Sequence, residues 1–122
     1  MNTRTLLAFG LIALLGAACG GTKSTTGGTK TFACNFSTGG LCISLAGIPS
    51  ATDLTSSNSQ CTTRGGEVVA ACPTTSRVGC CATPKSTPAE PQETFCYYSP
   101  SFDATSGRAD CEAPPAGTWT PG

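Results

Sequence analysis

Histidine is absent from this 122-residue chain, and its absence excludes much of the chemistry that small enzymes use. Without an imidazole base, neither a Ser-His-Asp triad nor a Cys-His pair can form. The sequence also has no CxxC pair, phosphate-binding loop, dinucleotide-binding fingerprint or EF-hand pattern, so the common zinc, nucleotide and calcium motifs are missing. The sequence therefore predicts a protein that is not an enzyme and that uses no cofactor and no metal.

Charge is scarce as well. Only 11% of the residues are charged, and the seven basic and seven acidic side chains cancel. The basic residues are scattered and form no stripe, so no nucleic-acid partner is expected. Two carboxylates about 5–10 Å apart can still serve a glycosidase. We expect the acidic side chains of the domain to lie instead on solvated surfaces; they are Asp53, Glu67, Glu90, Glu93, Asp103, Asp110 and Glu112.

Large apolar residues are too few for an ordinary core. From Phe32 to Gly122, only 12 of 91 residues are Leu, Ile, Val or Phe, which is below the ~20% associated with disorder. The same segment contains eight cysteines: Cys34, Cys42, Cys61, Cys72, Cys80, Cys81, Cys96 and Cys111. Four disulfides, at roughly 2–4 kcal/mol each, would stabilise so thin a core. Metal binding is the alternative to disulfides.

The sequence does not choose among the possible disulfide pairings, of which there are on the order of a hundred for eight cysteines. One local constraint exists, because Cys80 and Cys81 are adjacent. Neighbouring residues of a strand face opposite sides of the sheet. We therefore expect these two cysteines to bridge to two different layers of the domain.

Residues 1–18 have the three parts of an export signal. Arg4 supplies the positive charge, Leu6 to Leu15 form an apolar run, and "GAA" is a small-residue cleavage region. The ten-residue run is too short to span a bilayer as a helix, which takes about 20 residues. The sequence therefore predicts a signal peptide, and a buried N-terminal helix is the alternative.

The ninth cysteine, Cys19, follows this signal directly. Residues 16–19 resemble the lipobox of bacterial lipoproteins, although Gly16 stands where leucine is usual. The resemblance implies a diacylglyceryl thioether on Cys19 and an acylated amine, which together would anchor the protein to a membrane. Residues 19–31 would then be the lipidated cysteine and a flexible tether, "GGTKSTTGGTKT". The alternative is ordinary cleavage after Ala18, which would release a soluble protein.

Residues 32–122 predict a small disulfide-rich α+β domain with a short antiparallel sheet, two short helices and about four disulfides. Ser50 with Asp53 can cap the first helix, and Ser101 or Asp103 the second. Strands are expected where β-branched and aromatic residues concentrate, and two of them are expected to pair across the proline-rich stretch 83–93. The five predicted strands are Gly40–Ala46, Glu67–Ala71, Val78–Ala82, Thr94–Ser99 and Thr118–Thr120.

Three aromatic residues are candidate binding residues. Tyr97 and Tyr98 are adjacent, so on a strand one of them is expected to face outward, and Trp119 lies near the C-terminus. An exposed tyrosine, with Trp119, could stack on a sugar or anchor a protein partner. The alternative is that these aromatic side chains belong to the core.

Several short motifs resemble those of uncharacterised small cysteine-rich bacterial lipoproteins. They are CxxxGG before a strand, Cys72–Pro73, Gly79–Cys80, "CYY" and "GTW", and the likeness covers about residues 32–122. The resemblance implies a location in the cell envelope. It favours the outer membrane, because Gly20 rather than Asp follows Cys19. The predicted function is a non-enzymatic module that binds a protein or a glycan. The alternatives are a structural envelope protein without a ligand, or a soluble secreted inhibitor or toxin-like protein if Cys19 carries no lipid.

Overall fold

Residues 29–122 are described by the computed structural model of the protein, and they form a six-stranded antiparallel sheet with two helices. In space the strands are ordered β3-β1-β2-β5-β4-β6. The predicted fold class, a small disulfide-rich α+β domain, is confirmed. In chain order the elements are β1 (Lys30–Phe36), β2 (Leu41–Ile48), α1 (Ala51–Thr63), β3 (Glu67–Val69), β4 (Arg77–Ala82), β5 (Gln92–Tyr98), α2 (Ala104–Glu112) and β6 (Thr118–Pro121).

The predicted signal peptide (residues 1–18), Cys19 and residues 20–28 of the predicted tether lie outside the described residues. Between residues 29 and 122, neither helix has the length and apolar character that crossing a membrane requires.

Strand β1 was not predicted by the sequence, and its first two residues belong to the segment assigned to the tether. Lys30 and Thr31, assigned to the tether, pair with Ile48 and Ala46 at the end of β2. The remainder of β1 alternates phenylalanine, cysteine and phenylalanine on one side, and this side packs under α1. The strand was missed because Lys30 and Thr31 at its start continue the composition of the polar tether.

The helices begin where the capping residues predict. The Ser50 hydroxyl accepts a hydrogen bond from the Asp53 backbone N–H at 3.1 Å, which caps α1. At α2, Asp103 and Ser106 each accept a hydrogen bond from the other's backbone N–H, so Asp103 rather than Ser101 is the capping residue. These bonds satisfy amides that the first turn of a helix leaves without partners.

All eight cysteines of the domain are in disulfides, and the alternative of metal binding by them is therefore excluded. The pairs are Cys34–Cys61, Cys42–Cys72, Cys80–Cys96 and Cys81–Cys111. The first pair ties α1 to β1, and the last ties α2 to β4. Cys34 and Cys81 lie in one row across the sheet, so both helices cover the same face.

Cys80 and Cys81 face opposite sides of β4, as expected, but only one of them bridges to another layer. Cys81 reaches α2, whereas Cys80 is bonded to Cys96, its direct cross-strand neighbour on β5. The prediction of two different layers is wrong for Cys80 because the β4–β5 ribbon, which was itself predicted correctly, places a partner beside it within the sheet.

Candidate functional site

A groove of about 660 Å³ runs along α1 on the helix side of the sheet. It exists because α1 packs over β1 and β3 while α2 packs over β4 and β6, so no helix covers the central strands. The second wall is the proline-rich loop, residues 83–91, which joins β4 to β5. The groove is therefore bounded by a sheet, a helix and a loop.

The floor of the groove is apolar. It is lined by Ile43, Leu45 and Ile48 of β2 and by Phe32 and Phe36 of β1. Phe32 and Ile48 are buried, while Leu45 and Phe36 remain partly exposed. Apolar surface of this kind favours the burial of an apolar group of a ligand, at roughly 25 cal/mol per Å².

The helical wall is polar, in contrast to the floor. Residues 53, 56, 57 and 60 of α1, and Arg64 at its C-terminal cap, line the groove, and this spacing places them on one face of the helix. The Ser57 hydroxyl donates to the Asp53 carbonyl at 2.9 Å, and the Gln60 amide donates to the Ser56 hydroxyl at 3.2 Å. A ligand lying here would meet hydroxyl and amide groups along one edge.

The proline-rich loop is fixed at its base and organised by its own hydrogen bonds. The Thr83 N–H donates to the Glu93 carbonyl at 3.0 Å, and the Gln92 amide donates to the Thr83 carbonyl at 2.8 Å. Further along, the Lys85 ammonium donates to the Pro88 carbonyl at 3.1 Å, and the Glu90 carboxylate accepts from a backbone N–H at 2.9 Å. The loop is thus a formed wall whose ends are held by the β4–β5 ribbon.

Glu93 is a carboxylate that lines the groove beside its apolar floor. It lies on β5 directly across from Leu45, on the side of the sheet that faces the groove. Burial raises the pKa of its carboxyl above the ordinary value, and no opposite charge contributes to the shift. Within residues 29–122 its carboxylate has no hydrogen-bond or ion-pair partner. The prediction of a solvated surface position is wrong for this residue, because β5 turns its side chain toward the helix side of the sheet, where it is partly buried.

The predicted aromatic patch does not form, because both tyrosines are buried. Tyr97 is 4% exposed and Tyr98 is 8% exposed. Their rings do face opposite sides of β5, but each side is covered: α2 covers Tyr97, and the segment before β4 covers Tyr98. The Tyr97 hydroxyl donates to Asp110 at 2.8 Å, and the Tyr98 hydroxyl donates to the Pro73 carbonyl at 2.7 Å. The core alternative therefore describes these two residues.

Trp119 is half-buried in the cluster beneath α2. Its ring centroid lies 5.8 Å from that of Tyr97, and two glycines make room for the indole. A Cβ added at Gly107 would come within 2.9 Å of the ring, and one at Gly79 would overlap it. The exposed part of Trp119 borders a second hollow beside α2, together with Ala104, Thr105, Arg108, Ala109, Glu112 and Pro121. The structure thus separates Trp119 from the groove.

No protein-family model, curated protein or solved structure matches this chain.

Sequence reasoning missed this site for an identifiable reason. It treated Asp53, Glu90 and Glu93 as separate surface charges, whereas the fold brings all three to one groove. A signal was present in α1, whose residues 53, 56, 57 and 60 form a polar stripe at helical spacing instead of the apolar stripe of a packed helix face. The proline-rich loop lies across from that stripe because β2 pairs with β5. The sequence alone does not show this pairing.

Proposed function

We propose that this protein is a membrane-anchored component of the bacterial cell envelope whose disulfide-rich domain binds a protein or a glycan. The groove between α1 and the proline-rich loop is the binding site in this proposal. The supporting observation is the groove itself: an apolar floor, a polar helical wall and a formed loop within a domain held by four disulfides.

The disulfides suit such a site because they fix the two walls before a ligand arrives. Cys34–Cys61 fixes α1 to the sheet, and the β4–β5 ribbon that carries the loop contains Cys80–Cys96. A site formed in advance loses less conformational entropy on binding than one that must be ordered. Rigid walls therefore favour recognition of an extracellular ligand.

Binding rather than catalysis is proposed because the chain has few groups that can act as an activated nucleophile or base. It has no histidine, and each of the eight cysteines in the domain is in a disulfide. The groove does bring together carboxylates, but two of the three, Asp53 and Glu90, already accept hydrogen bonds from their own neighbourhoods. A site that only binds a ligand needs neither an activated nucleophile nor a base.

The proposed location rests on the export signal and on the lipobox-like residues before Cys19, and Gly20 favours the outer membrane. The mass of the intact mature protein tests it. A mass that includes a diacylglyceryl group and an acyl chain on Cys19 supports the anchored form. An unmodified Cys19, or its loss by cleavage at another position, favours a soluble secreted inhibitor or toxin-like protein.

Two serines of α1 provide a matched test of the proposed site. Ser56 and Ser59 are both exposed and belong to the same helix, but only Ser56 lines the groove. Ser56→Tyr would place a ring in the groove and obstruct it, whereas Ser59→Tyr adds the same ring outside it. On glycan and peptide arrays, the wild type and Ser59→Tyr should bind the same ligands, and Ser56→Tyr should lose them.

Two results would count against the proposal. If no array ligand binds the wild type, a structural envelope protein without a ligand becomes the better interpretation. If ligands bind all three proteins equally, the domain is a binding module but the groove is not its site.

A further inference from the structure

We infer that the groove binds a short extended polypeptide segment and that a lysine or arginine side chain of this segment pairs with Glu93. This inference rests on the proposed function, because it assumes that the groove is the binding site, and it adds the chemical class of the partner. It is supported by the dimensions of the groove, by its charge and by the chemistry of its floor.

The length of the groove fits a few residues of extended chain. Its helical wall runs from Asp53 to Arg64, a rise of about 16 Å at ~1.5 Å per helical residue. A strand advances about 3.3 Å per residue, so roughly five residues span the same distance. A segment of this length would place alternate side chains toward the floor and toward solvent.

The charge of the site favours a cation. Glu93 lies half-buried at the floor, and within residues 29–122 nothing donates a hydrogen bond to its carboxylate. Three carboxylates and two basic side chains, Arg64 and Lys85, line the groove, and the Lys85 ammonium donates to the Pro88 carbonyl. Burial disfavours the charged form of this carboxyl, and an ammonium or guanidinium group of a ligand would stabilise that form.

The floor fits the stem of the same side chain. Leu45 lies directly across from Glu93, and Phe32 lies directly across from Leu45 on the next strand. Lysine and arginine bury their methylene stems along apolar surface while their charged ends reach a polar group. A stem on the partly exposed Leu45 would therefore bring its cation to Glu93. A neutral glycan has no cation for Glu93, which is why a polypeptide is favoured.

A thermodynamic cycle with defined peptides tests the inference. The probes are C-amidated pentapeptides of sequence Leu-Ser-Lys-Ser-Leu with fluorescein coupled to the N-terminal amine, and the same peptide with norleucine in place of lysine; in an extended chain the lysine and both leucines face the same side. Their affinities are measured by fluorescence anisotropy for the wild type, Glu93→Gln and Glu67→Gln. Glu67 is an exposed carboxylate on β3 that does not line the groove, so Glu67→Gln is the matched control.

The lysine peptide should bind the wild type about tenfold more tightly than the norleucine peptide, as expected for one charge-assisted hydrogen bond in a partly buried site. Glu93→Gln should remove this difference by weakening only the lysine peptide, and Glu67→Gln should leave it unchanged. Ser56→Tyr should abolish the binding of both peptides.

The contrary outcomes separate this inference from the proposed function. Equal binding of both peptides, lost in Ser56→Tyr, would overturn the role of the cation while leaving the groove as a binding site. Binding of array glycans but of neither peptide would overturn the inference that the partner is a polypeptide, while leaving the groove as a binding site. If neither peptides nor glycans respond to Ser56→Tyr, the inference and the proposed site both fail. Glutamine matches glutamate in size, and circular dichroism checks that each variant is folded.

Discussion

Removal of the Cys34–Cys61 disulfide should detach α1 from the sheet more readily than it disrupts the sheet itself. The perturbation is the double variant Cys34→Ala/Cys61→Ala. Cys61 is the buried residue of α1, and Leu54 is the partly buried residue that packs beside it. An isolated helix of 13 residues is marginal in water. The disulfide is therefore the main attachment of this wall of the groove.

The expected magnitude follows from the length of chain that the disulfide closes. A sequence separation of 27 residues corresponds to about 3.6 kcal/mol of lost unfolded-state entropy. The separation of 16 residues between Cys80 and Cys96 corresponds to about 3.1 kcal/mol. The two removals should therefore cost similar free energies of unfolding, but with different local effects. The Cys80–Cys96 pair joins strands that the β4–β5 hydrogen bonds already hold together.

Guanidinium denaturation and amide hydrogen exchange together test this prediction. Denaturation should show a loss of about 3–4 kcal/mol for each double variant. Exchange should show that Cys34→Ala/Cys61→Ala loses protection in α1 far more than in β4 and β5. In Cys80→Ala/Cys96→Ala, α1 should keep its protection relative to the sheet. Uniform loss of protection across the domain in the first variant would refute the role assigned to this disulfide.

Three further predictions concern single residues. Gly79→Ala should destabilise the domain by about 1–3 kcal/mol in thermal melts, because its new methyl group overlaps the Trp119 ring. Gly39→Ala is the control and should be nearly neutral, because the added Cβ meets no atom within 4 Å. The raised pKa of Glu93 makes the folded state bind a proton more tightly than the unfolded state, so wild-type stability should fall as pH rises from 4.5 through the folded-state pKa. Glu93→Gln should lack this fall and be the more stable protein at neutral pH. Denaturation of both proteins at several pH values measures this, and parallel plots of unfolding free energy against pH would contradict it. Tyr97→Phe should lose about 1 kcal/mol, because the buried hydroxyl donates a hydrogen bond to a carboxylate of α2; an unchanged unfolding midpoint would be the contrary result.

The scaffold was predictable because its determinants are local or compositional. Few apolar residues and eight cysteines predict disulfides, and capping residues such as Ser50 and Asp103 mark where the helices begin. Clusters of β-branched and aromatic residues mark four of the strands well and overestimate the length of β3, which ends at Val69. These signals depend on neighbouring residues, so they can be recognised without knowledge of the tertiary structure.

The candidate site was not predictable in the same way, because it depends on pairings between distant segments. Tyr98 is buried only because Cys42–Cys72 holds a loop over its side of the sheet. Glu93 lines a groove only because β5 pairs with β2 and α1 packs to one side. A single sequence does not reveal which disulfides form, and each of these burial states follows from the disulfides and the strand order.

The most direct test of the groove as a binding site is to map a bound ligand on the protein. Amide ¹H–¹⁵N spectra of the isotope-labelled domain would be recorded during titration with the tightest-binding array ligand. Binding in the groove predicts that the shift changes concentrate on the floor around Leu45, on α1 around Ser57 and on the proline-rich loop. Changes centred instead on α2 and Trp119, with the groove amides unmoved, would contradict the proposed site.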